Sequence, residues 1–239
     1  MSGLLLTNLL ASAVWAIPPT QNKPPVTSTL RWGEGQPGCT FSRDDDGKYR
    51  YGLWTADFGI VVAVDSLELE KVRRRAQPIF ALQVTAHYRG KDSLELAPGE
   101  ITLEFVKHYH DVHSSLDPDG FASKQRNDMD ALVAETEREI RKHPEKKAEK
   151  DAALAARQKD AAEMVEFLNT RSLRPVRLDP GHPEVSGWVL FDTKSKWIGD
   201  LQKQEEFVFR VPLERRVVEF PFSLPPNEGD LILRRRPQN

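Results

Sequence analysis

With a single cysteine, Cys39, in 239 residues, the chain can form no intramolecular disulfide, and its fold has to rest on burial and hydrogen bonding. No charge sign dominates: 34 Lys and Arg stand against 36 Asp and Glu, a formal net charge of −2, so no global field draws nucleic acid or acidic membranes, and nucleic acid is not an expected partner. The apolar run from Leu4 to Ala16 is too short to cross a bilayer. Gly-x-Ser-x-Gly, His-Glu-x-x-His and Walker-type signatures are absent as well, which removes the usual nucleophile and metal-hydrolase motifs. The expectation is a protein without catalytic residues and without a cofactor.

What the chain does have is proline, 17 residues of it, many at segment edges, which suits strands and turns better than a helical bundle. Leu4 to Ala16, with Val14-Trp15-Ala16 at its end, fits a leader over residues 1–16, cut after a small residue, and implies export to the periplasm or beyond. Ile17 to Pro25 holds four prolines and reads as the extended part of a linker over 17–29. With the leader removed, no transmembrane span is expected. The remaining 30–239 is large enough to bury a sizeable core.

From Leu30 onward the apolar residues fall in short runs separated by turn chemistry. Leu53 to Val64 contains Phe58-Gly59-Ile60-Val61-Val62-Ala63-Val64, nearly continuous and β-branched, as a strand covered on both faces would be. In Ile79 to Tyr88, Phe80, Leu82, Val84 and Ala86 alternate with Ala81, Gln83, Thr85 and His87, which predicts one buried side. Leu94 to Leu96, the turn Ala97-Pro98-Gly99, and Ile101, Leu103 and Phe105 continue a meander. Strand character returns at Val185–Phe191, Phe207–Val211, Val217–Phe222 and Leu231–Leu233, for about eight or nine strands in all.

Between Ala122 and Arg171 the period changes. The segment holds no glycine and one proline, and 21 of the 49 residues from Ala122 to Thr170 are charged, ten positive and eleven negative. Met129, Leu132, Val133, Thr136 and Ile140 share one face of a first helix, and Leu154, Gln158, Ala161, Val165 and Leu168 step along a second. Pro144 separates them, since proline ends one helix and is welcome in the first turn of the next. Helices gathered in one place argue against a parallel α/β fold, in which they would alternate with strands.

Val84-Thr85-Ala86-His87-Tyr88-Arg89-Gly90, Leu94-Glu95-Leu96 and Ile101-Thr102-Leu103-Glu104-Phe105 resemble the strand, polar bend and second strand of immunoglobulin-like domains in exported bacterial proteins. Leu178-Asp179-Pro180-Gly181 before Gly187-Trp188-Val189-Leu190-Phe191 looks like their turn into a following strand, and Val218-Glu219-Phe220-Pro221-Phe222 like their closing strand. The resemblance covers about half of the body and implies a mainly β, immunoglobulin-like antiparallel sandwich with an inserted helical hairpin. It carries over no catalytic residue.

Five groups of residues are candidate sites. His108, His110 and His113 form the one histidine cluster; in an extended chain the first two share a face and offer imidazole ligands for Zn²⁺ or Cu²⁺, with Asp111 or His113 closing the set and His87 expected on a neighbouring strand. Half-exposed residues at a strand end is the preferred reading. Asp44-Asp45-Asp46-Gly47 and Asp117-Pro118-Asp119-Gly120 look like pieces of calcium loops but lack the downstream carboxylate and read as turns. Gly33-Glu34-Gly35-Gln36-Pro37-Gly38 has dinucleotide-fingerprint spacing without a helix to follow, so it reads as a loop. Trp54 and Trp188 sit in apolar strands and are assigned to the core, whereas Trp197, in a polar stretch, is the candidate for stacking on a sugar or a protein. Arg73-Arg74-Arg75 and Arg234-Arg235-Arg236 read as solvated edges before phosphate sites.

The functional expectation is a non-catalytic binding or accessory module of the cell envelope that presents its hairpin to a protein partner, with Leu154, Val165, Leu168 and Trp197 as contact residues. The alternatives are a periplasmic metal-binding protein and a carbohydrate-binding sandwich.

Overall fold

A computed structural model describes residues 28–44, 48–75, 79–193 and 204–224. The leader, most of the linker, Trp197, the strand expected at Leu231–Leu233 and Arg234–Arg236 lie outside the described residues. In chain order the strands are β1 (Ser28–Arg31), β2 (Cys39–Arg43), β3 (Lys48–Trp54), β4 (Phe58–Asp65), β5 (Ile79–Tyr88), β6 (Leu94–Leu96), β7 (Thr102–Phe105), β8 (Asp111–Ser114), β9 (Val176–Leu178), β10 (Glu184–Asp192), β11 (Glu205–Leu213) and β12 (Arg216–Leu224). Helix α1 (Ser66–Arg75) joins β4 to β5, and α2 (Pro118–Lys142) and α3 (Lys147–Arg171) stand between β8 and β9.

Two five-stranded sheets carry the fold: a front sheet ordered β1-β12-β11-β7-β8 and a back sheet ordered β10-β5-β4-β3-β2, with β6 and β9 as a separate two-stranded ribbon. All of these strand pairings are antiparallel except β1 with β12, which is parallel. The sheets meet through aromatic side chains. Phe80 of the back sheet stacks on Phe207 of the front sheet at 5.1 Å between ring centroids, Phe207 stacks in turn on Phe222 at 5.1 Å, and Phe191 meets Phe209 edge-on at 6.1 Å. These rings are buried, and each contributes roughly 2–3 kcal/mol of transfer free energy against the unfolded chain.

Proline placement follows ladder phase. Pro212 and Pro221 face Val217 and Val208 across the β11–β12 seam. A proline cannot donate, so these pairs belong to the phase whose amides point away from that seam, and Phe207–Phe222 and Phe209–Phe220 belong to the hydrogen-bonded phase. Glu219 shares the phase of Pro221, and its carbonyl does point outward, accepting from Trp32 N at 2.8 Å. β1 pairs no further than Arg31–Glu219, so Pro221 blunts the stretch of β12 edge that β1 leaves open.

The expected run Leu53–Val64 is two strands. Thr55 makes the break: its Oγ1 accepts from the amides of Asp57 and Phe58, and its own amide donates to Phe58 O at 2.8 Å, closing a turn between β3 and β4. β1, β2, β8 and β9 were not anticipated, and neither was α1. That helix is announced by Asp65-Ser66-Leu67-Glu68, in which Asp65 Oδ1 accepts from Glu68 N at 3.0 Å with an acid three residues on. Its Leu69 and Val72 are buried, and the helix packs on β4, β5 and α3.

Double-sided burial of β4 is therefore explained. Phe58, Ile60, Val62 and Val64 face the other sheet, while α1 lies against the opposite side near Ala63 and Ala81. On β10, Phe191 enters the inter-sheet core and Trp188 points outward, where Phe167 of α3 covers it. Gly187 allows the chain leaving α3 to sit directly on β10, since a Cβ there would lie 2.6 Å from both N and Cα of Leu173.

Candidate functional site

The expected hairpin over 122–171 is present and begins four residues earlier. Asp117-Pro118-Asp119-Gly120 is its start rather than a turn: Asp117 caps α2, accepting from Gly120 N at 2.9 Å, and Pro118 supplies a pre-set φ at the first position. Arg174 ties the base together by donating to Asp119 Oδ2 at 2.7 Å and to Leu168 O at 3.4 Å. Each helix has 25 residues, roughly 37 Å at 1.5 Å per residue. Only the base is held by the sheets, through Ala122, Met164, Phe167 and Leu168, all buried in the core. From Arg141 to Glu149 every residue is exposed.

The contact residues expected on the hairpin separate. Leu168 is fully buried beneath the hairpin, which takes it out of any surface for a partner; Leu154 and Val165 are half-buried between the helices. The large exposed apolar side chains among the described residues are Leu67, Tyr109 and Val112, none on the hairpin. What the hairpin offers is a groove of about 630 Å³ along the α2–α3 seam, with Met129, Ala161, Ala162 and Val165 in it and Gln125, Arg126, Gln158 and Glu166 among its polar neighbours. Small side chains at 161 and 162 leave room for another backbone to come close. Arg75 of α1 braces the same helix by pairing with Glu163 at 3.0 Å.

The three histidines do not form one cluster: His108 and His113 both lie against the ring of Phe105, at 6.4 and 5.3 Å, while His110 turns to Glu104. The segment around His108 and His110 is a bend rather than an extended strand, and Tyr109 and His110 both take left-handed backbone, φ +61° and +57°. Each imidazole faces a different carboxylate: His108 Nε2 lies 3.3 Å from Glu205, His110 Nδ1 2.5 Å from Glu104, and His113 Nε2 3.4 Å from Asp111. Among the described residues no three His, Cys, Asp or Glu side chains converge to hold a metal. His87 is on β5 in the back sheet, opposite Gly59 and Glu184, so it does not neighbour the cluster as expected; β8 pairs with β7 alone.

Glu104 is instead one end of a charged ladder on the outer face of the front sheet. Arg210 donates to Glu104 and, through Nε at 2.8 Å, to Glu219; Arg31 donates to the other Glu219 oxygen at 2.8 Å. Burial by itself raises the Glu104 carboxyl, but the hydrogen bonds from His110 and Arg210 outweigh it and hold the group below the ordinary carboxylate range. Arg210 is held in its charged form by Glu219 and Glu104 against the opposing effect of burial.

No family model, no curated protein and no solved structure matches this chain.

Two tryptophans divide differently from the expectation. Trp188 is buried as assigned, but Trp54 is half-exposed, because its indole turns outward over Gly59 instead of inward. Alternation with the inward Tyr51 and Leu53 places Trp54 on the outer face; the sequence reading misses this because it takes Leu53–Val64 as one strand covered on both faces. A cleft of about 540 Å³ at the open flank between the sheets, walled by Trp32, Phe41, Tyr51, Phe207 and Phe222, was also not anticipated; Arg31, Glu34 and Glu206 are its charged residues. The loop carrying Gly33 to Gly38 connects β1 to β2 as a run of turns with no helix after it.

Proposed function

We propose that the chain is a non-catalytic binding module of the cell envelope, exported and then free of its leader, in which an immunoglobulin-like pair of sheets holds out the α2–α3 hairpin to a protein partner. The observation that carries this reading is the division of labour along the hairpin. Its base is locked into the core by Met164, Phe167 and Leu168, while from Arg141 to Glu149 every residue at its far end is exposed. Ordering two helices of this length costs conformational entropy, and a partner seated in the groove on the half of the hairpin nearer the sheets would offset part of it.

The fitting occupant is an amphipathic helix of the partner, lying along the seam with its apolar side on Met129, Ala161 and Val165 and its flanks against Arg126 and Glu166. The immunoglobulin-like part of the reading draws support from the parallel pairing of β1 with β12, the first and last strands among the described residues, and from the facing sheets. The meander of β2 through β5 within one sheet is its departure from that plan.

A photoreactive benzoylphenylalanine placed at Ala162, in cells that make the protein, tests the site. One discrete adduct is expected at Ala162, lost in a Val165→Asp background and not seen from Lys124, which is exposed but outside the groove. Equal adducts from both positions, or none at Ala162, would overturn the reading. Mass spectrometry of the protein from an envelope fraction tests export: a mature N-terminus near Ile17 is expected, and an intact Met1 in a cytoplasmic fraction would refute it.

A further inference from the structure

We propose that the open half of the back sheet's outer face, centred on Trp54, binds an acidic oligosaccharide. The helices cover only part of this face: α1 lies on β4 and β5, and α3 lies on Trp188. Beyond them, register places two rows of residues side by side. Trp54, Gly59, His87 and Glu184 form one cross-strand row, and Thr40, Gly52, Val61, Thr85 and Ser186 form the next. The two rows run from β2 or β3 to β10, and the longer spans four strand intervals, roughly 19 Å at 4.8 Å each, enough for a short glycan.

Two glycines shape the floor. A Cβ at Gly59 would lie 2.1 Å from the Trp54 ring, and one at Gly52 would lie 2.3 Å from Thr40 Oγ1 and 3.0 Å from Trp54 Nε1. The indole thus lies flat along the sheet with its N–H edge toward the second row, and continues into the half-exposed Val61 as an apolar strip. His87 flanks the indole at 5.1 Å and is itself engaged by Glu184 at 3.3 Å. Hydroxyl and amide groups line the far side: Thr85 and Ser186 Oγ atoms are 2.9 Å apart, and Gln83 donates to Ser186 at 3.3 Å. A flat apolar strip bordered by a row of donors and acceptors complements a pyranose ring, which has C–H faces and an equatorial rim of hydroxyls.

Charge selects among sugars. Arg89 sits over the Trp54 ring at 5.0 Å, is exposed, and has no carboxylate partner among the described residues. Its guanidinium is pre-positioned by the cation–π contact, with its fork free for a carboxylate. The other arginine on this face, Arg50, is already paired with Asp44. An oligosaccharide of uronic acid residues meets each requirement: ring faces for Trp54 and Val61, hydroxyls for Thr85, Ser186 and Gln83, and a carboxylate for Arg89.

Isothermal titration of the full chain with three uronate tetrasaccharides (galacturonate, mannuronate, and alternating glucuronate and N-acetylglucosamine) tests this, with maltotetraose and tetraglutamate as comparisons. At least one uronate is expected to bind at least tenfold more tightly than either comparison. Arg89→Gln and Ser186→Glu, both at exposed positions, are each expected to weaken it at least tenfold with an unchanged circular dichroism melting profile. Trp54→Ala is expected to do the same. If that variant fails to fold, the two exposed variants still decide. No uronate binding, binding matched by tetraglutamate or by maltotetraose, or full binding by Arg89→Gln or Ser186→Glu would overturn the proposal.

Discussion

The ring of Phe167, near the end of α3, lies 5.7 Å from that of Trp188 on β10 at an interplanar angle of 54°, and this contact fastens the hairpin to the back sheet. Both rings are buried. Phe167→Ala is expected to cost about 3–5 kcal/mol, because the cavity opens at a junction of helix and sheet that cannot collapse without moving both. Urea unfolding measures the loss, and amide exchange along α2 and α3 should rise more than along β4 and β5, since the hairpin loses its anchor while the aromatic inter-sheet core remains.

Leu154 and Leu168 belong to one sequence stripe but differ in environment. Leu168→Ala should cost about 2–5 kcal/mol, as a fully buried residue. Leu154→Ala, half-buried in the free part of the hairpin, should cost under about 1 kcal/mol. Equal losses in thermal melts of the two variants would mean that the hairpin's outer half is packed against something other than itself.

Glu104 makes stability sensitive to acid. Its folded-state carboxyl lies below the ordinary range, so its contribution is complete above the unfolded value of about 4.3 and is lost as pH falls through the lower folded one. Denaturant midpoints should therefore drop more steeply below about pH 4.5 in the native chain than in Glu104→Gln. At neutral pH the same substitution should cost about 1–3 kcal/mol, since it leaves Arg210 with Glu219 as its remaining partner.

Tyr109 is fully exposed and holds left-handed backbone at φ +61°, so it pays strain without recovering packing energy. Tyr109→Gly is expected to raise stability by about 0.5–1 kcal/mol, read as a higher midpoint in urea at an unchanged slope.

Much of the architecture was legible in the chain because it is local. The alternation in Ile79–Tyr88 predicted β5 residue for residue, and the glycine-free charged stretch around Pro144 predicted two helices, since side-chain period and proline chemistry act within a few residues. The short elements were not legible. β1, β8 and β9 have three or four residues each, too few for a period to emerge from the surrounding loops, and among the described side chains of α1 the buried ones are Leu69 and Val72, set in a run of charged residues. Its capping box was a signal that could have found it.

The histidines show how a pattern that assumes extended backbone fails. His108 and His110 share a face only if the chain between them is straight, and left-handed backbone at Tyr109 and His110 sends each imidazole to its own carboxylate. Trp54 fails for another reason: once β3 and β4 are taken as one run, its alternation with the inward Leu53 is lost, and Gly59 leaves the room in which its indole lies on the outer face.

By itself the sequence determined that this protein would be built from short strands around a paired-helix detour, because burial period, proline position and helix caps are written within a turn or two of the chain. Only the tertiary structure decided that Arg31 would meet Glu219, and Arg210 Glu104, across 188 and 106 residues. Hydrophobic alternation tells a strand which face to bury but not which neighbour to choose. That choice depends on closing long loops in a mutually consistent register, and the charged ladder, the hairpin's anchorage and the open face around Trp54 exist only once it has been made.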